Sequence, residues 1–434
     1  MKKFIHSVIL SALVVSTTTA QVPVPADPQD KPILLLGGVA HLGNGEVIQN
    51  SVIGFDKGKL TIVANAESSR LNLDGFEVIK IDGKHVYPGF ILPNSQIGLQ
   101  EVNAVRAMSD YSERGSMNPN VRSLISYNTD SEYIPTFRYN GILLAESTPS
   151  GGRISGTSSV MEMEGWNWED AAHTTDMGLH INWPNKTSRN FDRATFTVKR
   201  EPNKDYPKQV DALIKQFDDT KAYVQASTKT TNLKLEAMRG VFNGKKTLFI
   251  HAGGAKEIVE SVKMAQANDV KKIVVIAGGS ALMVAEFLKD NNIGVLIPPT
   301  HRLPEATDRD VYGPYKLPKQ LFDAGVTAAF YHQGMLGHAR NLPFFAGTAA
   351  SYGLDKEEAL KMITSNTAKL LGIDARVGTL EVGKDATLFV SEGDALDFRT
   401  NILTHAFISG KQVTLDNKQQ ELFNRFSKKY GHTD

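Results

Sequence analysis

Hydrophobic and polar positions along the chain fall into distinct textures. Between residues 33 and 86, short apolar runs alternate with turn signals. Ile33–Leu36, Val47–Phe55, Lys59–Val63 and Glu77–Ile81 are set apart by turns such as Gly43-Asn44-Gly45 and Asp56-Lys57-Gly58. Runs of this length between Gly- and Asn-rich turns predict an antiparallel β unit. From Lys245 the pattern changes. Thr247–His251, Lys272–Ala277, Gly294–Ile297 and Val326–Tyr331 are near-continuous strand-type runs, and Ala255–Ala267, Ala281–Lys289 and Leu317–Ala324 have helical spacing. Strands buried on both faces and linked by helices predict βαβ units and a parallel sheet, an α/β class. Ala386–Val390 and His405–Val413 return to the first texture, so both chain ends are expected to build one small β-domain. A polar tail from Asn417 predicts a terminal helix.

The stretch 109–203 has the weakest pattern. It holds all three tryptophans (Trp166, Trp168, Trp183) among many Gly, Ser and Asn residues. It reads as extended loops with one strand at Gly141–Glu146, followed by a helix over Lys208–Gln225. At the start of the chain, Lys2 and Lys3 precede an apolar run from Phe4 to Val15 and small residues up to Ala20. That order predicts a cleaved export signal over residues 1–20, with Gln21 first in the mature chain and a Pro/Asp-rich linker over 21–32. The run is short for a membrane span, which takes about 20 residues. Periplasm or cell envelope is the expected location.

Charge excludes some partners. Lys and Arg number 48 and Asp and Glu 47, so no basic surplus points to nucleic acid. The chain has no cysteine, which removes disulfides and thiolate metal sites from consideration.

One stretch is specific enough to suggest a family. Gly378-Thr-Leu-Glu-Val-Gly-Lys-Asp-Ala-Thr-Leu-Phe-Val390, followed by Gly393-Asp394 and Ile408-Ser-Gly-Lys-Gln-Val413, resembles the return of the amidohydrolase superfamily chain into its small β-domain, closest to the imidazolonepropionase-like branch. Ala359–Ile373 resembles the helix before that return, Tyr87-Pro-Gly-Phe-Ile91 the entry into the first barrel strand, and Phe249–Pro299 the fifth to seventh β/α units. The resemblance implies a (β/α)8 TIM-like barrel over 87–375 and a discontinuous β-sandwich from 33–86 and 376–416, with the tail at 417–434. It also implies a hydrolase of non-peptide carbon–nitrogen bonds, with its site at the C-terminal mouth of the barrel and a divalent metal polarising water.

Residue by residue, that metal set is depleted. Where the family has His-x-His after the first strand, this chain has Asn94 and Gln96. A neutral amide oxygen is a poor zinc ligand. His251 ends the fifth strand where the family keeps a metal histidine, and its alternative role is a plain hydrogen bond to a loop or ligand. The sixth strand ends in Gly278-Gly279, suited to an anion at a helix start or to a simple turn. The eighth carries His332 or Gln333 in place of an aspartate, beside Tyr331. Lys199 and Glu201 are candidates for the fourth-strand ligand by position alone. Glu146 closes the expected strand at 141–146, where a buried ion pair is the alternative to a site role. The resulting expectation is an impaired or non-catalytic relative that needs no cofactor. It would bind a small amide-type molecule at the mouth, or pair with itself or with a working relative. The alternative is an active hydrolase rebuilt on His251 and His332, with one zinc ion if His251, His332 and Glu146 converge.

Overall fold

The structure is a computed structural model and describes residues 24–67, 74–193, 195–227, 230–304 and 308–432. The expected export signal lies outside the described residues. Strands β1 (Ile33–Leu36), β2 (Val39–His41), β3 (Val47–Ile48), β4 (Ser51–Asp56), β5 (Lys59–Asn65), β6 (Glu77–Lys80) and β7 (His85–Pro88) come first. The barrel follows, with β8 (Phe90–Ser95), β9 (Ile142–Ser147), β10 (Ile154–Glu162) and β11 (Ala172–Asn182). A two-stranded ribbon, β12 (Thr187–Asp192) and β13 (Thr197–Pro202), interrupts it. The barrel resumes with β14 (Thr247–His251), β15 (Ile273–Ile276), β16 (Gly294–Ile297) and β17 (Ala328–Phe330). The chain ends with β18 (Leu388–Ser391), β19 (Leu403–Ile408), β20 (Lys411–Gln412) and the helix Lys418–Tyr430.

Both chain ends build one sandwich. Its sheets run β5-β4-β1-β6 and β20-β19-β18-β7-β2-β3. The ends join where β18 pairs antiparallel with β7, with Phe389 opposite Tyr87 and Val390 opposite Val86. Leu35, Ile53, Phe55, Val86, Leu388 and Phe407 share the core between the sheets. This face is apolar because alternate residues of each strand point the same way.

The barrel sheet has eight strands in the order β17-β16-β15-β14-β11-β10-β9-β8. Seven run the same way, and β10 runs against both of its neighbours. The all-parallel expectation fails at this strand because only residues 148–153 connect β9 to β10. A parallel crossover takes roughly a dozen residues or more, and a hairpin does not. The sheet does not close on itself by direct pairing. Instead the Ile91 N–H donates to the Ile363 carbonyl (2.9 Å) and the Phe330 N–H to the Met362 carbonyl (3.2 Å), so the buried 362–363 segment fills the seam between β8 and β17. Ile91, Leu144, Val160, Phe249, Val274, Leu296 and Ala329 pack inside the barrel. Helices such as Ala255–Ala267, with Ile258, Val262 and Ala265 buried, cover the outside.

The sandwich is pinned to the barrel by Asp385, which is 5% exposed. Its carboxylate meets Lys59 from β5, Arg376 Nε (2.9 Å) and His173 Nε2 from β11 (3.1 Å). Against its desolvation, the hydrogen bonds from His173 and Lys59 and the charges of Arg376 and Lys59 hold the carboxyl down at about 2.

Candidate functional site

At the mouth, the inward positions of neighbouring strands carry polar side chains above the apolar filling. Glu146 near the end of β9, Ser158 in β10 and His180 near the end of β11 are all 0% exposed, and partly exposed His251 is the last residue of β14. They form one chain of hydrogen bonds. Glu146 Oε1 accepts from Ser158 Oγ (2.6 Å) and pairs with His180 Nε2 (3.0 Å), which also lies 2.9 Å from Ser158 Oγ. His180 Nδ1 meets His251 Nε2 at 3.2 Å. Glu146 Oε2 accepts the backbone N–H of Asn94 (2.8 Å).

Gly178 makes this packing possible. A Cβ there would sit 2.4 Å from Ser158 Oγ and 2.6 Å from the Phe249 ring. The bare backbone lets Phe249 approach and stack on His180, with centroids 4.7 Å apart and planes 9° from parallel.

One tautomer sequence satisfies these bonds when the imidazoles are neutral and Glu146 is a carboxylate. A carboxylate only accepts, so His180 presents Nε2–H to Glu146. In a neutral His180, Nδ1 is then the acceptor for His251 Nε2–H, and the lone pair of His251 lies on Nδ1. Burial pushes the His251 imidazole down to about 3, so it is neutral at ordinary pH. The arrangement presents one oriented basic nitrogen at the mouth.

The other expected site residues are dispersed. Asn94 is fully buried on a left-handed backbone (φ 48°), and both of its side-chain polar atoms lack a partner. It serves the relay through its N–H, not through its amide. Gln96 is buried at 8% exposure. His332, two residues past β17, lies against Phe345 (6.2 Å, 14°) and 6.3 Å from His338, and its Nδ1 has no partner. Burial, and then His338, lower it to about 4. It has no hydrogen bond to the Glu146 relay. Tyr331 is half-buried, its N–H donating to the Ile297 carbonyl (3.0 Å), and Gln333 points to solvent. The Gly278 carbonyl accepts from the Ala281 N–H and Gly279 opens a six-residue 3-10 helix, so the Gly-Gly pair makes the turn into that helix. Lys199 and Glu201 sit on exposed β13, where Lys199 pairs with Asp192 (2.9 Å), and cannot serve as a fourth-strand ligand. Trp166 and Trp168 lie in the β10–β11 connection at the opposite end of the barrel. Trp183 stays near the mouth, its backbone N–H donating to the His251 carbonyl (2.9 Å) and its indole N–H to the Tyr206 hydroxyl (3.1 Å).

A divalent ion does not fit this donor set. Both Glu146 oxygens, both His180 nitrogens and His251 Nε2 are already engaged. Among the described residues, no group of three or more His, Asp or Glu side chains is arranged so that it could hold a metal ion. His251, His332 and Glu146 therefore do not converge as a zinc set. His180 and Ser158 were missed from the sequence, although Gly178-Leu-His-Ile-Asn-Trp183 offered one signal, an alternation of apolar and polar positions.

The amidohydrolase family model matches residues 142–416. The chain belongs to the amidohydrolase family. Solved amidohydrolase structures share the fold. An amidohydrolase from Thermotoga maritima MSB8 is 22% identical with a TM-score of 0.76, covering 88% of this chain and 99% of its own. Molinate hydrolase is 13% identical (TM-score 0.53; 90% and 96%). An adenosine deaminase from Xanthomonas campestris, solved with bound zinc, is 13% identical (TM-score 0.51; 93% and 97%). No curated protein matches the chain. Among the described residues no helix is long and apolar enough to cross a membrane.

Proposed function

We propose that this amidohydrolase-family chain has exchanged metal-assisted hydrolysis for metal-free recognition of a small amide-type molecule at the barrel mouth. One observation carries the reading. The Glu146–His180–His251 relay engages the atoms an ion would need, and with neutral imidazoles it leaves His251 Nδ1 as the relay's own acceptor. A neutral imidazole held in one tautomer suits a ligand that presents an N–H, such as a lactam, hydantoin or imidazolone. Export by the segment 1–20 to the periplasm or envelope, and pairing with a second copy or a working relative, belong to the same proposal.

The test is a panel of lactams, hydantoins, imidazolones and dipeptides, followed by calorimetry and by product analysis with and without zinc. Binding without turnover, lost in His251→Phe, is the expected outcome. Turnover abolished by His251→Ala would instead establish the rebuilt hydrolase, whose support is the neutral state of both His251 and His332. N-terminal sequencing of the secreted protein checks export, with Gln21 as the expected first residue.

A further inference from the structure

The C-terminal helix Lys418–Tyr430 has thirteen residues, none of them buried. The hydrogen bonds that tether it to the barrel come from its first turn. Thr136 Oγ1 donates to Gln419 Oε1 (3.0 Å) and the Tyr139 hydroxyl to Gln420 Oε1 (3.3 Å). Both ends are capped, by the Asn417 side chain accepting from the Gln420 N–H (2.9 Å) and by left-handed Gly431. A helix this short is marginal in water and normally gains its stability by covering an apolar face.

This helix has such a face. At 3.6 residues per turn, Leu422, Phe423, Phe426 and Tyr430 fall on one stripe about 100° wide. Phe423, Phe426 and Tyr430 are 61%, 44% and 65% exposed. On the same wheel Lys418, Arg425 and Lys429 follow one border of the stripe, with Lys428 behind them. Glu421 is the sole acid of the helix and Lys418 lies 3.9 Å from Glu132, which leaves Arg425, Lys428 and Lys429 as a local basic surplus in a chain whose whole formal charge is +1. The Arg425 guanidinium lies 5.6 Å from the Phe426 centroid and the Lys429 ammonium 5.2 Å from that of Tyr430, which keeps the cations at the edge of the aromatic stripe.

We propose that this helix is a peripheral anchor that lies in the headgroup layer of an anionic lipid surface, aromatic stripe inward and basic border against the phosphates. Charge decides between this occupant and a second copy of the chain. Packing two such helices antiparallel would bring like-charged borders together, which is unfavourable, and packing them parallel would leave the basic borders unneutralised. An anionic surface neutralises them, and rings with a polar tip such as Tyr430 suit the water–lipid boundary.

The test is co-sedimentation of the full chain with vesicles of neutral phosphatidylcholine and of phosphatidylcholine containing phosphatidylglycerol. Binding should rise roughly tenfold or more with the anionic lipid and fall with added salt. The Phe423→Asp/Phe426→Asp variant should lose binding to both vesicle types. Arg425→Gln/Lys429→Gln, which keeps the stripe, should lose the preference for anionic lipid. Melting temperatures should match the wild type, since the helix buries nothing. Equal binding to both vesicle types, or unchanged binding by the Asp variant, overturns the proposal. So does a wild-type dimer in light scattering that the Asp variant dissociates, because a second copy would then be the occupant.

Discussion

His180→Phe isolates the hydrogen bonding of the relay from its packing. A phenyl ring keeps the stack on Phe249, whose centroid lies 4.7 Å from the imidazole. It removes the bonds to Glu146 and to His251. A hydrogen bond to a charged group is worth about 1.5–3 kcal/mol, and a buried group left unpaired costs about 1–3 kcal/mol. Glu146 is 0% exposed and would keep Ser158 and the Asn94 N–H, so its loss is partial. His251 Nε2–H would face a ring. We expect a destabilisation of about 3–5 kcal/mol. At roughly 2–4 °C per kcal/mol this lowers the melting temperature by about 6–20 °C. Urea unfolding followed by tryptophan fluorescence is the assay. Adding Glu146→Gln to His180→Phe removes the stranded charge, so the double variant should be less destabilised than the sum of the singles by about 1 kcal/mol or more. A single-variant loss under about 1 kcal/mol, or strict additivity, would refute the claim that the relay is a coupled buried network.

Acid should weaken the fold in two separate windows. His251 and His332 are pushed down to about 3 and 4 from 6.5. The unfolded chain therefore takes up their protons first, and stability present above pH 6.5 is lost as pH falls toward those values, at about 1.4 kcal/mol per pH unit for each. His85, His301 and His405 are lowered too, so His251→Gln/His332→Gln should flatten the melting-temperature slope between pH 6.5 and 4.5 without abolishing it. Asp385, held at about 2, acts lower: its contribution is present above the ordinary carboxylate range and lost as pH falls through 2. Asp385→Asn should cost about 2 kcal/mol at pH 7, from a shift near two units, and calorimetry should show the sandwich loosening first. A melting temperature unchanged by Asp385→Asn would mean that Arg376, Lys59 and His173 find other partners without loss. EDTA should leave the wild-type melting temperature unchanged.

Much of the fold was legible where burial is two-sided and apolar. Ile33–Leu36, Thr247–His251, Ala255–Ala267 and Gly294–Ile297 have the bounds the sequence suggests, because Val, Ile and Leu runs bounded by turns or by helical spacing leave few alternatives. The antiparallel β10 was illegible for a physical reason. Ile154-Ser-Gly-Thr-Ser-Ser-Val-Met-Glu162 is wholly buried, yet its hydroxyls are satisfied by neighbours inside the barrel, so burial leaves no hydrophobic signature. With β10 unseen, β11 was unseen too, and with it His180. The anchored ends of the site, Glu146 and His251, were readable because each closes a recognisable strand. What joins them depends on a histidine and a serine brought together across strands, which spacing along one chain does not encode. The ribbon β12–β13 misled in the opposite direction. Its Lys199 and Glu201 have ligand chemistry but sit on an exposed hairpin.

The most direct measurement is metal content by mass spectrometry, after purified protein has been incubated with excess zinc and dialysed. The engaged donors of Glu146, His180 and His251 predict far less than stoichiometric retention. About one tightly held zinc per chain, displaced together with His251→Ala, would contradict the account.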